Sequence, residues 1–404
     1  MLYLFIQNWL DWLDDRGLGF LRVFSYSTFR GTAAIVLSFL ICLLLGPRVI
    51  RWLRAQKIAD LAGFDQAEVD AIMAGKKGTP TMGGILIVSA ILVTTLLLGD
   101  LRNFYVLMAL VCMIWLAAVG AVDDWLKLTA GRRAGSRQGL YGWEKLLFQL
   151  GLGALLACFT YYYGILIPET HTIYFPFFKN AQINLGELDW TILGTPLTVG
   201  ALIFILICTL VLTGSSNAVN LTDGLDGLAS GCMAIVAFTF FIFCLIIGSS
   251  TLLVRAGEPT TLASYLYLAY IPSADEMAII AGAMTGACLG FLWFNCNPAS
   301  VFMGDTGSLA LGGLIGYTAI VIRQEIILFL VGGIFVLEAL SVLIQVGYFK
   351  YTRIRFGEGR RIFLMAPIHH HFQRKGWTET QTVVRFWLIT AMLAAMALAT
   401  VKLR

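Results

Sequence analysis

The stretch Asn217-Ala-Val-Asn-Leu-Thr-Asp-Gly-Leu-Asp-Gly-Leu-Ala-Ser-Gly231 places two carboxylates, two asparagines and three glycines between two long apolar runs. Asp223 and Asp226 are three residues apart, so a helical turn would put both on one face. Carboxylates at a membrane boundary are costly unless water, a cation or a ligand meets them. A glycine-rich turn with helix-capping aspartates is the alternative for this stretch alone. Two further aspartate clusters, predicted on the same side, favour a functional site.

The composition indicates a polytopic membrane protein. Of 404 residues, 58% are hydrophobic and 13% charged, whereas soluble domains carry about 25% charged residues. A transmembrane helix needs about 20 mostly apolar residues. We therefore predict an all-α integral membrane protein with a single polytopic domain over 1–404. Residues 1–29 form the interfacial N-terminal segment of this domain. Ten spans are predicted, at 30–46, 83–99, 103–122, 145–166, 197–213, 227–247, 277–295, 307–322, 326–348 and 382–401.

The distribution of lysine and arginine predicts the orientation, because cytoplasmic loops are enriched in basic residues. The loops 47–82, 123–144 and 349–381, together with Lys145, hold 18 of the 28 basic residues, and the opposite side holds nine. We therefore expect both termini to be periplasmic, and the basic loops, including the histidine-containing loop 349–381, to be cytoplasmic.

The predicted periplasmic side carries one long loop, 167–196. Its residues near 172–185 have strand-like composition and predict a small hairpin, in which Pro176 would be confined to an edge. The segment 262–271 is apolar but too short to span, so we expect a loop or an interfacial helix. Eight cysteines without a CxxC pair predict reduced packing residues, not disulfides or a zinc site.

Two stretches on the predicted cytoplasmic side flank spans. Lys76-Lys-Gly-Thr-Pro-Thr-Met-Gly-Gly84 suits a phosphate or uridine contact. Taken alone, the stretch favours the alternative of a helix N-terminus started by proline, with lysines typical of a cytoplasmic loop. Asp123-Asp-Trp-Leu-Lys127 closes the third span. Adjacent carboxylates repel unless they share a cation or a proton, which a magnesium-diphosphate or proton-abstracting site would supply. A surface ion pair with Lys127 is the alternative.

Two later loops carry polar clusters on the same side. The loop Asn295-Cys-Asn-Pro-Ala-Ser-Val-Phe-Met-Gly-Asp305 gathers two asparagines and an aspartate, and helix capping explains only the aspartate. The stretch 365–377 holds three consecutive histidines among arginines. Adjacent histidines fit one tetrahedral zinc poorly, so phosphate binding is favoured, with a basic membrane-surface patch as the alternative.

These clusters together predict a chemistry. Magnesium prefers carboxylate oxygens combined with substrate phosphates over a cage built wholly of protein. Three aspartate clusters and basic loops beside apolar spans therefore indicate phosphoryl-group transfer at a membrane surface, with a lipid as one substrate.

Four long motifs carry a resemblance over nearly the whole chain: GTPTMGG (78–84), NLTDGLDGLA (220–229), FMGDTGSLALGG (302–313) and PIHHHF (367–372). With them the sequence resembles the polyprenyl-phosphate N-acetylhexosamine-1-phosphate transferase superfamily, and within it the bacterial phospho-N-acetylmuramoyl-pentapeptide-transferase family. GTPTMGG and PIHHHF favour that family over its relatives that use UDP-N-acetylglucosamine.

The resemblance implies a magnesium-dependent reaction in the bacterial inner membrane. UDP-N-acetylmuramoyl-pentapeptide and undecaprenyl phosphate would give lipid I and UMP on the cytoplasmic face, with membrane lipid as surroundings, no nucleic-acid partner and a homodimer as the expected assembly. By motif, the expected catalytic residues are Asp123, Asp124, Asp305 and Lys127, with Asp305 as the magnesium ligand. The expected substrate-binding residues are Lys76, Thr81, Lys145, Asn220, Asp223, Asp226, Asn295, Phe302, His369, His370 and His371.

The sequence departs from the family pattern at two places. Gln373 follows the histidines where the family usually has glutamate, and the stretch 60–75 before GTPTMGG is longer and more acidic than usual. Neither touches the aspartate clusters.

Several alternatives stay open at this point. The nearest is a sister transferase that uses UDP-N-acetylglucosamine. An ion-coupled transporter or flippase is another, but it would place carboxylates near the bilayer midplane in repeated halves, which the sequence does not predict. The reaction itself could pass through attack by an aspartate or through direct attack by the lipid phosphate, which we favour because that phosphate is already an anionic nucleophile.

Overall fold

The computed structural model describes residues 1–56, 78–130, 139–178, 181–188, 190–191, 198–255 and 258–401. Its α-helices are α1 (Leu2–Asn8), α2 (Leu10–Asp15), α3 (Ser27–Ala55), α4 (Gly84–Leu98), α5 (Phe104–Ala130), α6 (Gly142–Tyr163), α7 (Val199–Thr222), α8 (Leu228–Gly248), α9 (Leu262–Tyr265), α10 (Met277–Asn295), α11 (Gly304–Val321), α12 (Glu325–Val331), α13 (Gly333–Phe356), α14 (Ile368–Arg374) and α15 (Glu379–Ala399). Four short strands are β1 (Thr172–Tyr174), β2 (Gln182–Asn184), β3 (Leu252–Arg255) and β4 (Glu258–Thr261).

Each of the ten predicted spans overlaps a helix of this structure, so the prediction of an all-α membrane protein is confirmed. Among the described residues, eight helices are long and apolar enough to cross a membrane. The helix α4 is apolar but has only 15 residues, and the predicted span 326–348 is divided at Gly332 into α12 and α13. The number of spans and the side on which the termini lie therefore stay predictions.

The helix α11 lies at the centre of the bundle, and every residue from Asp305 to Val321 is buried. It packs against α4, α5, α7 and α8. Glycines permit this close packing: a Cβ on Gly84 would lie 2.1 Å from the backbone nitrogen of Gly307, so α4 meets α11 backbone to backbone. Small residues drive helix association in membranes in this way, because van der Waals contact replaces the hydrophobic effect there.

Two buried ion pairs hold the end of the bundle from which α10 begins. Arg30 of α3 donates to both carboxylate oxygens of Glu276, at 2.8 and 2.5 Å, and also to the carbonyl of Leu98 at 3.1 Å. Arg323, between α11 and α12, lies 2.8 Å from Glu325. Each buried arginine at this end thus has one carboxylate as its partner.

Two antiparallel hairpins lie outside the helices. The predicted one is present as β1 and β2, with Ile173 opposite Ile183, although its first strand ends at Tyr174, before Pro176. A second hairpin of β3 and β4 follows α8 and was not expected from the sequence. Within 262–271, only Leu262–Tyr265 is α-helical.

Candidate active site

Three aspartates from two helices meet at the end of the bundle where α11 begins. Asp123 and Asp124 lie in the last two turns of α5, and Asp305 lies in the first turn of α11. All three are buried, and one ligand atom from each lies within 4.8 Å of the others. A Cβ on Gly120 would lie 2.2 Å from the carbonyl oxygen of Asp305, so this glycine lets α5 approach α11 closely enough to bring the carboxylates together.

Two lysines bridge the carboxylates. The Nζ of Lys145, near the start of α6, lies 2.7 Å from Asp123 Oδ2 and 2.6 Å from Asp305 Oδ2. The Nζ of Lys127, one helical turn after Asp123, lies 2.7 Å from Asp123 Oδ2 and 3.3 Å from Asp305 Oδ2. The side chain of Lys127 is 49% exposed, so cationic groups separate the buried carboxylates from the surface.

Asp124 differs from its neighbour because its carboxylate caps α11. It accepts hydrogen bonds from the backbone nitrogens of Asp305 and Thr306, at 3.1 and 3.0 Å, and from the Thr306 hydroxyl at 2.7 Å. A carboxylate at a helix N-terminus satisfies unpaired N–H groups and complements the helix dipole. The residue before Asp305 is Gly304, with φ of +73°, where a Cβ would lie 2.8 Å from Asp124 Oδ2. Asp124 therefore positions Asp305.

Asn220 holds the other oxygen of Asp305. Its Nδ2 donates to Asp305 Oδ1 and to Ser308 Oγ, both at 2.9 Å. Asp223, directly after α7, lies close to the same cluster. Burial raises the pKa of Asp223 well above its ordinary value, the negative charges of Asp305 and Asp124 add to this, and a hydrogen bond from the Gly304 backbone opposes it. Among the described residues, Asp223 thus adds a fourth carboxyl group to this end of the bundle.

Asp226 and Asn295 connect the aspartate motif to the loop before α11. The carboxylate of Asp226 accepts from Asn297 Nδ2 and from the backbone nitrogen of Ala299, both at 3.1 Å. The side chain of Asn295 accepts from the backbone nitrogen of Gly227 at 3.1 Å and donates to the Val301 carbonyl at 2.9 Å. Both side chains are nearly inaccessible to solvent, so they shape the loop from within.

The GTPTMGG motif lies against Phe302. The backbone nitrogen of Phe302 donates to the Pro80 carbonyl, and its carbonyl accepts from the backbone nitrogen of Gly83, both at 2.8 Å. This pairing brings Thr81 close to Gly304, since a Cβ on that glycine would lie 3.1 Å from Thr81 Oγ1. Lys76 lies outside the described residues.

The three histidines occupy different environments. His369 is fully buried, and its Nδ1 lies 2.9 Å from Glu338 Oε2. His370 Nδ1 lies 2.8 Å from Gln373 Oε1. Burial and the charge of Lys375 lower the pKa of His371, and its Nδ1 accepts from the backbone nitrogen of Leu364 at 3.1 Å.

Sequence reasoning missed several residues that position this site. Thr306 and Ser308 belong to the quoted FMGDTGSLALGG motif, but their hydrogen bonds to Asp124 and Asn220 depend on how the helices pack. Glu379 accepts from the backbone nitrogen of Asp226 at 2.9 Å. Glu338 carried a usable signal, since an ionisable residue within an apolar run is a functional candidate by default.

The donor set fits a hard divalent cation. Carboxylate oxygens are the ligands that magnesium prefers, and it usually combines one or two of them with phosphate oxygens. Among the residues that the structure describes, three clustered carboxylates face two ammonium groups. Each carboxylate oxygen has two lone pairs, so Asp305 and Asp123 retain acceptor capacity for a cation or a proton. The ammonium groups of Lys127 and Lys145, which bridge the carboxylates, can also bind phosphates.

The comparisons with known proteins agree with this geometry. The sequence model of Glycosyl transferase family 4 matches residues 106–323, and the first signature of phospho-N-acetylmuramoyl-pentapeptide-transferase matches residues 76–88. Relatives from Thermodesulfovibrio yellowstonii, Chlorobium limicola and Chlorobium phaeovibrioides, each named phospho-N-acetylmuramoyl-pentapeptide-transferase, are 42% identical to this chain over 100% of both sequences. The chain therefore belongs to the phospho-N-acetylmuramoyl-pentapeptide-transferase family.

Proposed function

We propose that this enzyme transfers phospho-N-acetylmuramoyl-pentapeptide from its UDP conjugate to undecaprenyl phosphate, which gives lipid I and UMP. The observation that carries the proposal is the buried cluster of Asp123, Asp124 and Asp305, bridged by two lysines at one end of an apolar bundle. Such a cluster suits a reaction between two phosphates, one attached to a nucleotide and one to a lipid. Family membership favours this donor over UDP-N-acetylglucosamine and the enzyme over an ion-coupled transporter.

The proposed reaction is a direct displacement at phosphorus. An oxygen of the lipid phosphate attacks the phosphorus that carries the sugar, the bond from that phosphorus to the bridging oxygen breaks, and UMP leaves with the bonding electrons. Asp123 takes any proton on the attacking phosphate. Because the lysines cover Asp123 Oδ2, the incoming phosphate meets Lys127 and Lys145 before it reaches the carboxylate.

Asp305 is the proposed ligand for magnesium, whose contribution would be to neutralise the diphosphate and the leaving UMP. Asn220 and the N-terminal turn of α11 hold Asp305 for this role. Asp124 caps α11 and thereby holds Asp305 in place. Among the catalytic residues, we therefore assign Asp124 a positioning role. Preorganised charges of this kind supply most of the stabilisation in phosphoryl transfer.

The remaining motif residues are proposed to bind the UDP donor. Thr81, Phe302 and the loop held by Asp226 and Asn295 would line the uridine site, together with Lys76. Asn220 and Asp223 would shape the diphosphate region. Of the histidines, His370 and His371 are partly exposed and would reach the sugar-phosphate end, whereas His369 is buried and would act through its neighbours.

The proposed setting is the bacterial inner membrane, with the aspartate cluster facing the cytoplasm and both termini in the periplasm. The positions of basic residues support this orientation, as does the need of a nucleotide-linked donor to approach from water. The large exposed apolar faces of the helices suit contact with lipid and with a second copy of the chain, so a homodimer is proposed as the assembly.

The test is UMP release by the purified protein in detergent, with magnesium and undecaprenyl phosphate. Two donors are compared, UDP-N-acetylmuramoyl-pentapeptide and UDP-N-acetylglucosamine. Turnover of the first donor alone is the expected result. A preference for the second would assign the chain to a sister activity, and no UMP from either donor would refute the proposed transfer.

A further inference from the structure

A buried carboxylate–imidazole pair lies against Gly224, and its carboxylate, Glu338, has no role in the proposed reaction so far. Glu338 of α13 and His369 of α14 are both fully buried, and Glu338 Oε2 lies 2.9 Å from His369 Nδ1. The other polar atom of each side chain, Glu338 Oε1 and His369 Nε2, is buried and has no hydrogen-bond partner among the described residues. Buried polar atoms left unpaired in this way are costly and therefore uncommon.

The unpaired Nε2 edge of the imidazole faces Gly224, in the stretch 217–231. A Cβ on Gly224 would lie 2.4 Å from His369 Nε2 and 2.8 Å from its Cε1. The ring therefore occupies the space in which a side chain at position 224 would stand. Gly224 lies between Asp223 and Asp226, in a segment that we name the aspartate turn, residues 223–227.

We propose that Glu338 is a positioning residue for the transfer reaction, which acts through His369 on the aspartate turn. The inference rests on the proposed function, because the turn carries residues assigned there to the donor site. It gives the buried histidine of the HHH motif a role different from that of the other two histidines.

The physical argument begins with the imidazole. A neutral histidine has one N–H, and the hydrogen bond made by one ring nitrogen decides which nitrogen carries it. Glu338 accepts from Nδ1–H, so it fixes both the tautomer and the plane of the ring. Without the carboxylate, the ring can rotate away from Gly224, and the aspartate turn loses the surface against which it packs.

The turn has other attachments, which limits the expected loss. The backbone nitrogen of Asp226 donates to Glu379 at 2.9 Å, and Trp387 Nε1 donates to the Gly227 carbonyl at 3.2 Å. Both contacts hold the C-terminal half of the turn. Contact with His369 is at Gly224, next to Asp223, so its loss should displace the part of the turn nearest the diphosphate region.

The experiment is a double-mutant cycle of Glu338→Ala and His369→Ala, with kcat and the KM for each substrate measured by UMP release. We expect Glu338→Ala to raise the KM for the UDP donor about tenfold, in the range found for residues that orient functional side chains, while the KM for undecaprenyl phosphate changes little. In the His369→Ala background, Glu338→Ala should add nothing. Equal effects of Glu338→Ala in both backgrounds would overturn the proposal.

Two further variants separate positioning from folding. Glu338→Gln keeps an oxygen that accepts from Nδ1–H and should restore a donor KM close to wild type. Gly224→Ala leaves Glu338 intact but places a methyl group against the ring, so it should reproduce the KM increase even if Glu338→Ala fails to fold. A wild-type donor KM in Gly224→Ala would contradict the inference.

The matched control is Glu276→Gln, which alters another buried carboxylate at the opposite end of the bundle. It should lower the unfolding temperature without a change in donor KM. If Glu338→Ala behaves in the same way, Glu338 has a structural role only and the inference fails. Absence of UMP release by the wild-type protein would instead refute the proposed function, so the two failures are distinguishable.

Discussion

The two ends of the bundle use buried charge in opposite ways. At the end where α10 begins, Arg30 forms a bidentate ion pair with Glu276, and Arg323 forms an ion pair with Glu325. Each of these arginines therefore has one carboxylate partner. At the other end, three clustered aspartates share two lysines. Within the part of the chain that the structure describes, the first arrangement matches each arginine with a carboxylate, whereas the second has three carboxylates for two lysines.

This difference separates structural charges from functional ones. A buried ion pair has a desolvation cost, but its two charges neutralise each other, so it does not require a charged ligand. An unbalanced cluster repels itself unless a cation or a proton joins it. The arginine pairs lock helices together, whereas the aspartates and lysines offer both signs of charge to a metal ion and to phosphates. The predictions below test this distinction, from the largest expected effect on turnover to the smallest.

Removal of divalent cations should abolish UMP release. The clustered carboxylates would then repel the substrate phosphates, and added magnesium should restore turnover. The measurement is activity after treatment with EDTA, followed by titration with magnesium. As an independent readout, magnesium should raise the unfolding temperature of the wild-type protein. Full activity in EDTA would show that the cluster works without a metal.

Asp305→Asn should lower kcat by at least about 10²-fold, the loss typical for one preorganised charge in an active site. The amide still accepts from Asn220 and leaves α11 capped by Asp124, so the purified variant should stay folded. Magnesium should no longer raise its unfolding temperature. Recovery of activity at high magnesium concentration would contradict its role as the metal ligand.

Asp123→Asn should lower kcat to a similar extent but keep donor binding, because Asp123 is assigned to the proton of the lipid phosphate. A weakened affinity for the donor, with kcat unchanged, would make it a binding residue. The measurement is kcat against donor KM for this variant beside Asp305→Asn.

Thr306→Val should reduce turnover by about tenfold, in the lower range for residues that orient a functional group. The change removes the hydroxyl that donates to Asp124 Oδ2 but keeps the backbone hydrogen bonds and the side-chain volume. Thr318→Val, in the same helix but distant from the aspartates, is the control, because its hydroxyl donates to the backbone carbonyl of Leu314. Equal effects of the two variants would remove Thr306 from the site.

Glu276→Gln should leave kcat and both KM values unchanged while it lowers the unfolding temperature. Breaking a buried ion pair by changing one partner typically costs about 3–5 kcal/mol of stability, and Arg30 keeps only weaker partners. Thermal unfolding in detergent measures the loss. A change in substrate KM would show that the ion pair between Arg30 and Glu276 also affects substrate binding at the opposite end of the bundle.

Much of the fold could be predicted, because a membrane imposes a strong constraint on each segment by itself. A run of about 20 apolar residues must form a helix in lipid, whatever its neighbours are. The ten predicted spans therefore all overlap helices, and the hairpin near 172–185 was found as well. The division at Gly332 was missed although the dipeptide Gly332-Gly333 is a break signal, because the apolar run continues on both sides of it. The second hairpin was missed because each of its strands has only four residues.

The candidate site was only partly predictable. The sequence predicted that the aspartate motifs lie at one end of the bundle. The structure shows that ligand atoms of Asp123, Asp124 and Asp305 lie within 4.8 Å of one another. The different roles of Asp123 and Asp124 could not be predicted from the sequence, because the two residues are neighbours with the same side chain. Only the packing of α5 on α11 shows that one caps a helix and the other faces the lysines.

The sequence by itself determined that this protein is a bundle of membrane helices with its acidic and histidine motifs on one side, because hydropathy and motif spacing are local properties of the chain. Tertiary structure decided which of these residues meet. His369 contacts Glu338 and Gly224, which lie 31 and 145 positions away along the chain. Such contacts arise from the close approach of helices, which depends on side-chain packing across the whole bundle and not on any single segment.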